Sequence, residues 1–140
     1  MAKLSKPGDL LKNLTPELDA GEYYFASVPE SQLFGLVNYL SYIASIHREE
    51  ECLSIVFSKE ILDEMKNYSD DEPVGPFALI TLKVESDLLA VGFLAKITGE
   101  LANEGISANP ISAFHHDYLL VPFEKKEEAM KVLTRLQGTN

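Results

Sequence analysis

The residue types that could carry chemistry in this chain stand in two short clusters. His115-His116-Asp117 combines imidazole and carboxylate groups, the side chains used for general acid–base catalysis and for metal binding. Glu85-Ser86-Asp87 is an acidic segment between a predicted strand and a predicted helix. Unpaired N–H groups and the positive end of a helix dipole favour anions at such a position. The histidine-containing cluster is therefore a candidate active site or metal site. The acidic segment is a candidate ligand-binding loop.

The histidine cluster lacks the partners that catalysis or metal binding would need. A zinc site uses roughly three or four protein ligands, and the other soft donors in the sequence are Cys52 and His47. Neighbouring residues of a strand point to opposite faces, so His115 and His116 would not reach one ligand together. The chain also has no Gly-x-Ser-x-Gly nucleophile motif and no phosphate-binding glycine loop. We predict no catalytic residue, no metal site and no cofactor; a hairpin turn explains the cluster, and a ligand pocket or a subunit contact is the alternative.

The acidic segment precedes a stretch with helical periodicity. Its apolar residues recur at spacings of four, three and four, as one face of a helix requires: Ala90, Leu94, Ile97 and Leu101. Gly105 is the expected end of this helix, because glycine adopts the left-handed conformation at no steric cost. Asp87 is placed where it could cap the first turn.

Segments with strand character flank this helix. Residues 77–84 precede it and residues 106–114 and 118–123 follow it, and all three are rich in β-branched, aromatic and apolar residues. Pro110 has no N–H to donate to a sheet, which predicts an edge position or a bulge for its strand. The chain ends in an amphipathic helix with apolar positions at Ala129, Val132, Leu133 and Leu136. The order strand, helix, strand, strand, helix is the ferredoxin-like pattern with one strand missing.

The first half of the chain is predicted to begin with helix and continue with strands. Residues 1–20 are predicted to be an N-terminal helical segment, in which Thr15-Pro16 begins a second helix. Strands are predicted at 23–28 and 52–57. The signals over residues 33–46 conflict, and a helix or an irregular element is expected there.

One acidic stretch, residues 69–76, contains two prolines and a glycine and has no apolar stripe, so it is predicted to be a linker. It separates residues 21–68 from residues 77–140. The two parts are weakly similar: Leu53-Ser-Ile-Val-Phe57 precedes a helix as Leu119-Leu-Val-Pro-Phe123 does. Duplication of one unit and chance similarity both explain this.

Several motifs taken together resemble those of ACT domains. Gly92-Phe-Leu-Ala-Lys-Ile97 and Glu104-Gly105-Ile106-Ser107 are similar to the ACT repeats at the regulatory end of aspartate kinases. The whole chain, from residue 8 to residue 137, resembles a family of small bacterial stand-alone ACT proteins of unassigned function. The motifs that carry this second resemblance are Gly21-Glu22-Tyr23, Arg48-Glu49-Glu50-Glu51, Ile80-Thr81-Leu82-Lys83-Val84 and His116-Asp117.

The resemblance implies an α+β, ferredoxin-like fold of the ACT type, with an antiparallel sheet and helices on one face. It also implies tandem units, of which the first, residues 21–68, is abbreviated and the second, residues 77–140, is an ACT domain. Residues 23–28 are expected to join the sheet of the second unit as its additional strand.

In ACT domains of this kind, the loop before the first helix contacts an amino-acid effector, and the second strand of a neighbouring unit completes the site. Carried over by position, the resemblance implies a ligand site formed by Asp87, Leu89, Ala90, Val91 and Gly92, with Ser107, Ala108 and Asn109 from the neighbouring unit. Val91 stands where aspartate kinases usually have proline, so the shape of this loop departs from the family pattern.

The composition restricts the classes of partner. The net charge is −10 and the chain has only two arginines, which argues against binding to nucleic acid or to an anionic membrane surface. The longest run without a polar residue has eight residues, far fewer than the roughly 18 of a membrane-spanning helix. A single cysteine, Cys52, and the lack of an apolar signal core predict a cytoplasmic protein.

We predict that the protein is a non-catalytic regulatory module of the ACT type that senses a small molecule such as an amino acid and forms a homo-oligomer, a dimer or higher. The first alternative is an oligomerisation or partner-binding module with a vestigial ligand site. The second is a small enzyme that uses His116 and Asp117.

Overall fold

The computed structural model describes residues 3–138. In chain order the helices and strands are α1 (Pro7–Asn13), β1 (Thr15–Leu18), β2 (Tyr23–Pro29), α2 (Leu33–Leu36), β3 (Ile43–Arg48), β4 (Cys52–Ser58), α3 (Leu62–Lys66), β5 (Val74–Lys83), α4 (Phe93–Asn103), β6 (Asn109–Ser112), β7 (Asp117–Pro122) and α5 (Lys126–Gln137). Short 3₁₀-helical segments precede α2, α3 and α5, and another, Val37–Tyr42, follows α2.

The chain divides into two units. Residues 1–20 and 78–140 form one, called the terminal unit here, and residues 21–77 form the central unit. The chain passes between them twice, once after β1 and once within β5. The first twenty residues therefore belong with the second half of the sequence.

The terminal unit contains an antiparallel sheet in which β5 neighbours both β1 and β7, and β6 pairs with β7. The helices α1, α4 and α5 contact one another and share a single hydrophobic core with these strands. This is the predicted ferredoxin-like architecture of the ACT type, with helices on one face of the sheet. Within residues 3–138, no helix is both long enough and apolar enough to cross a bilayer.

The fourth strand of this sheet is β1. Residues Thr15–Leu18 pair with Ile80–Lys83 in an antiparallel register, so the prediction of a second helix beginning at Thr15 is wrong. Sheet pairing outweighs the helix-start signal of Thr15-Pro16, and proline is tolerated because β1 lies at the sheet edge. Only Pro7–Asn13 of the first twenty residues is helical.

The predicted helical faces are confirmed. In α4, Ile97 and Leu101 are fully buried, and Leu94 packs against the same core while partly exposed. Ala90 packs there too, but it lies in the loop before the helix. In α5 all the predicted apolar positions are buried. The strand that contains Pro110 is β6, which lies at the end of the strand order, as the missing N–H predicts.

Gly105 ends α4 as predicted. Its φ is +72°, and its N–H donates to the carbonyl of Ala102 at 2.9 Å. The N–H of Ile106 donates to the carbonyl of Leu101, also at 2.9 Å. This pair of bonds is the Schellman motif, which supplies donors to carbonyls that have no hydrogen-bond partner within the helix.

We expect Gly105→Ala to lower the free energy of unfolding by about 1 kcal/mol, because an L-residue pays about 1–2 kcal/mol in the left-handed conformation. Gly99→Ala is the matched control: Gly99 lies inside α4 with open space around its Cα, so alanine should stabilise the helix by about 0.5–1 kcal/mol. Urea titrations of both variants measure the two changes. Equal effects would contradict the assignment of Gly105 to the helix end.

The central unit is built around β2, which pairs antiparallel with β4 over its whole length. β3 lies on the far side of β4, and β2 also pairs with the first residues of β5, at Tyr23↔Phe77 and Phe25↔Val74. The predicted strands at 23–28 and 52–57 are thus confirmed, and residues 23–28 do pair with β5. The core of this unit includes Leu36, Phe57 and Met65.

Two predictions for the central unit differ from the structure. Residues 33–46 contain α2 and a 3₁₀-helical segment, but their last part, from Ile43, is the unpredicted strand β3. Residues 74–76, placed in a linker by their composition, are the first residues of β5. In both cases pairing with another strand decides the structure of a segment whose local signal is weak.

Candidate functional site

A cavity of about 140 Å³ lies in the terminal unit, where the loop after β5 meets the first turn of α4. Three parts of the chain line it. They are the loop from Ser86 to Gly92, the start of α4 from Phe93 to Ala95, and the facing residues Ser112 and Asp117 of the β6–β7 hairpin.

Asp117 and Ser86 form the buried polar part of this cavity. They are 7% and 8% exposed and are the only buried polar residues in the part of the chain that the structure describes. Ser86 Oγ donates a hydrogen bond of 3.2 Å to Asp117 Oδ2. Asp117 Oδ1 has no bonding partner among residues 3–138, and no buried side-chain oxygen there is left unsatisfied. Oδ1 is therefore accessible from the cavity and can accept a hydrogen bond from a ligand.

The backbone holds both residues in place. The N–H of Asp87 donates to the carbonyl of Leu4 at 2.8 Å, and the N–H of Leu4 donates to the carbonyl of Glu85 at 3.1 Å, so Ser86 is fixed by a bridge to the amino-terminal segment. Asp117 is the first residue of β7, directly after a turn closed by the N–H of Ala113 and the carbonyl of His116 at 3.0 Å.

Asp87 shapes the loop and does not cap α4. Its Oδ1 accepts a hydrogen bond of 2.8 Å from the N–H of Leu89, and its carbonyl accepts one of 2.9 Å from Ala90. The helix begins only at Phe93, because Gly92 before it has a φ of +92°, which helical residues do not adopt. The prediction that Asp87 could cap this helix is wrong, because the residue at the cap position is Gly92.

The first turn of α4 supplies donors to the cavity. Its first intrahelical bond runs from the N–H of Lys96 to the carbonyl of Gly92 at 3.0 Å. The N–H groups of Phe93, Leu94 and Ala95 have no acceptor among the described residues, as is usual at a helix start. They carry the positive end of the helix dipole and favour a negatively charged group. The cavity thus has a carboxylate on one side and unpaired N–H donors on the other.

The residues predicted for the ligand site are placed as follows. Asp87, Ala90 and Gly92 line the cavity. Leu89 and Val91 are mostly exposed beside it. The three residues expected to act in the site of a neighbouring unit lie outside this cavity, just before or at the start of β6: Ser107, Ala108 and Asn109.

The ligand site predicted from the sequence does not include Ser86, Ser112 or Asp117, although Ser86 belongs to the acidic loop and a ligand pocket is the alternative for the cluster that contains Asp117. Asp117 carried a usable signal, because an acidic residue directly before the apolar strand Tyr118–Val121 is a candidate for burial. Ser112 follows from the hairpin, since it pairs with Asp117 in the register of β6 and β7.

The two histidines before Asp117 are more exposed than Asp117 and are not among the residues that line the cavity. His115 is exposed and packs edge-on against Phe114, with ring centroids 4.8 Å apart, and His116 is half-buried. Across residues 3–138, no three His, Cys, Asp or Glu side chains are grouped closely enough to hold a metal ion.

Comparisons with known proteins agree with the fold. Residues 76–135 match the profile of the ACT domain. A Vibrio cholerae protein of unknown function, described as a possible transport protein, is 36% identical over 93% of this chain and 94% of its own, with a TM-score of 0.75. No protein of curated function matches the sequence.

Two more distant structures share the fold alone. The ligand-free regulatory subunit of aspartate kinase from Thermus thermophilus is 13% identical over 87% of this chain and 97% of its own, with a TM-score of 0.64. A putative carboxy-terminal regulatory domain of aspartate kinase from Porphyromonas gingivalis is 14% identical over 91% and 99%, also with a TM-score of 0.64.

Proposed function

Residues 76–135 of this chain belong to the ACT-domain family, and from that premise we propose that the chain is a regulatory module that senses a small amino acid in the cavity beside Asp117. The observation that carries the proposal is the pairing of a buried carboxylate with the unpaired N–H groups of a helix start across one small cavity. An α-amino acid has an ammonium and a carboxylate attached to the same carbon, so its two charges match the two sides. The proposal assigns no catalytic residue.

The binding mode follows from the charges. The ligand ammonium donates to Asp117 Oδ1, next to the bond that Ser86 makes to Oδ2. The ligand carboxylate accepts from the N–H groups of Phe93, Leu94 and Ala95 at the start of α4. Both contacts are charge-assisted hydrogen bonds, which are stronger than neutral ones.

The size of the cavity restricts the side chain of the ligand. Its volume is about 140 Å³, and an apolar protein cavity of about 150 Å³ is known to hold benzene, a ligand of about six heavy atoms. Alanine has the same number of heavy atoms, and glycine and serine are close to it. We therefore propose a small neutral amino acid as the ligand.

A thermal-shift screen of the twenty amino acids and common nucleotides tests the proposal. A ligand present at 100 times its dissociation constant stabilises the folded state by about 2.7 kcal/mol, which corresponds to several degrees in Tm for a chain of this size. We expect a small amino acid to give this shift and large ones to give none. Pyruvate is the matched control for alanine, because it keeps the carboxylate and the size but lacks the ammonium.

The outcome separates the candidate functions. If no amino acid changes Tm, the sensing role is wrong, and an association module with a vestigial site becomes the better description. If pyruvate stabilises the protein as well as alanine, Asp117 does not select the ligand. The proposal also includes self-association and a cytoplasmic location, the latter supported by the single cysteine.

A further inference from the structure

Residues 3–7, called the strap below, connect the parts of the chain that form the cavity beside Asp117. None of them lines the cavity. They contact the loop after β5, the residue before α4 and the turn of the β6–β7 hairpin. The strap and these segments belong to the terminal unit, although the whole central unit separates them in sequence.

The contact between the strap and the loop is made by backbone groups. The N–H of Leu4 donates to the carbonyl of Glu85 at 3.1 Å, and the N–H of Asp87 donates to the carbonyl of Leu4 at 2.8 Å. Ser86, whose hydroxyl donates to Asp117, lies between these two bonds. The docked strap therefore fixes the position of Ser86 beside Asp117.

The contact between the strap and the hairpin is made by a side chain. Lys3 Nζ donates a hydrogen bond of 3.1 Å to the carbonyl of Phe114 and lies 4.3 Å from the centre of its ring. Phe114 lies in the turn between Ser112 and Asp117, the two hairpin residues that line the cavity. Lys3 thus holds the hairpin while the next residue, Leu4, holds the loop. Together they set the position of one side of the cavity relative to the other.

The two ends of the strap are anchored to different degrees. Pro7 begins α1, which buries Leu10 and Leu11 in the core, and the Pro7 ring lies against Gly92, where a Cβ would be 3.3 Å from its Cγ. The end at Lys3 is held by the two backbone bonds of Leu4, by the partly buried Leu4 side chain and by the contacts with Phe114. Segments with few buried contacts open locally at a lower free-energy cost than the core does. The Lys3 end can therefore open while the terminal unit stays folded.

We propose that the cavity binds its ligand much more tightly when the strap is docked, so that strap docking regulates the site. This inference rests on the amino-acid site proposed above. Opening of the strap releases Ser86, so the Asp117 carboxylate and the N–H groups of α4 are no longer held at a fixed separation. Linkage is reciprocal, so a ligand that prefers the docked state also holds the strap in place by the same factor.

Leu4→Pro is the substitution that opens the strap, because proline has no N–H to donate to the carbonyl of Glu85. Leu4→Ala is the matched control, since it also shortens the side chain but keeps the N–H. Calorimetric titration of the full chain with glycine, L-alanine and L-serine measures the effect. We expect the dissociation constant of the tightest of the three to rise about tenfold in Leu4→Pro, a factor typical of coupling between two sites, and to rise less in Leu4→Ala.

Lys3→Met is an independent variant if Leu4→Pro does not fold, as judged by circular dichroism. It removes both contacts with Phe114 and leaves the backbone bonds of Leu4 in place, so binding should weaken in the same direction. Lys6→Met is its control, because Lys6 is an exposed residue of the same segment. It should bind as the parent does.

Hydrogen exchange at the N–H of Leu4 reports strap docking directly, because Leu4 lies outside the cavity. The tightest of the three amino acids, at ten times its dissociation constant, should slow this exchange about tenfold. The N–H of Asp70, which donates to the carbonyl of Ser27 in the central unit, should be slowed less.

Failure of the strap and failure of the site give different results. If the parent binds one of the three amino acids, equal affinity in Leu4→Pro or an equal loss in Leu4→Ala overturns the strap and leaves the site in place. Equal effects of Lys3→Met and Lys6→Met, or equal slowing of exchange at Leu4 and Asp70, do the same. A parent chain that binds none of the three overturns the proposed site, and the inference with it.

Discussion

Asp117→Asn is expected to remove most of the response to a small amino acid while leaving the protein folded. The change keeps the size of the side chain and an oxygen for the bond from Ser86, but it removes the charge that would hold the ligand ammonium. A hydrogen bond to a charged group contributes about 1.5–3 kcal/mol, so the dissociation constant should rise roughly ten- to a hundredfold. Calorimetric titration with the amino acid that gives the largest thermal shift measures this change.

The stability of the unliganded variant separates a binding role of Asp117 from a structural one. A buried carboxylate with a single side-chain donor pays a desolvation cost that the amide does not. We therefore expect Asp117→Asn to unfold at the same temperature as the parent or above it. Asp63→Asn, the same change at an exposed position in α3, should alter neither property. Unchanged ligand affinity in Asp117→Asn would show that this carboxylate does not hold the ammonium.

Phe57→Ala is expected to cause a large loss of stability, about 3–5 kcal/mol in the free energy of unfolding. Phe57 is fully buried in β4 and stacks on Tyr24 with ring centroids 6.2 Å apart. Truncation removes buried apolar surface and leaves a cavity that the surrounding strands cannot fill. Urea unfolding followed by circular dichroism measures the loss, which is a large part of the roughly 5–15 kcal/mol that a domain has.

Phe114→Ala is the control for this substitution. Phe114 is exposed, and its ring contacts the Lys3 ammonium at 4.3 Å, an interaction worth about 0.5–1 kcal/mol at an exposed site. The control should therefore lose no more than about 1 kcal/mol. Similar losses in the two variants would mean that the cluster around Phe57 does not hold the central unit together.

The sequence by itself determined the elements whose signals are local. The buried face of α5 follows from the spacing of Ala129, Val132, Leu133 and Leu136, because helical periodicity needs no information from the rest of the chain. The end of α4 follows from Gly105, whose left-handed conformation other residues adopt at a cost. The edge position of β6 follows from the missing N–H of Pro110. The resemblance to ACT domains predicted how these elements are arranged in the fold.

Tertiary structure decided the conformation of segments whose local residue pattern is weak or predicts a different element. Thr15-Pro16 has the residue types of a helix start, yet Thr15–Leu18 pairs with β5. Ile43–Arg48 has a weak strand signal, and its pairing with β4 makes it β3. Backbone hydrogen bonds to a partner strand, which is distant in sequence for Thr15–Leu18 and adjacent for Ile43–Arg48, can outweigh preferences that differ by less than about 1 kcal/mol per residue.

The candidate site shows the same division. The resemblance to ACT domains implies a ligand site that includes Asp87, Ala90 and Gly92, and these three residues of one loop line the cavity. Asp117 stands in a histidine-containing cluster of the sequence, for which a hairpin turn is the first interpretation and a ligand pocket an alternative. It contacts Ser86, 31 residues earlier in the chain, because β5, which ends shortly before Ser86, and β7, which begins at Asp117, are neighbours in one sheet. Such a contact depends on sheet pairing between segments distant in sequence, which the local pattern of residues does not specify.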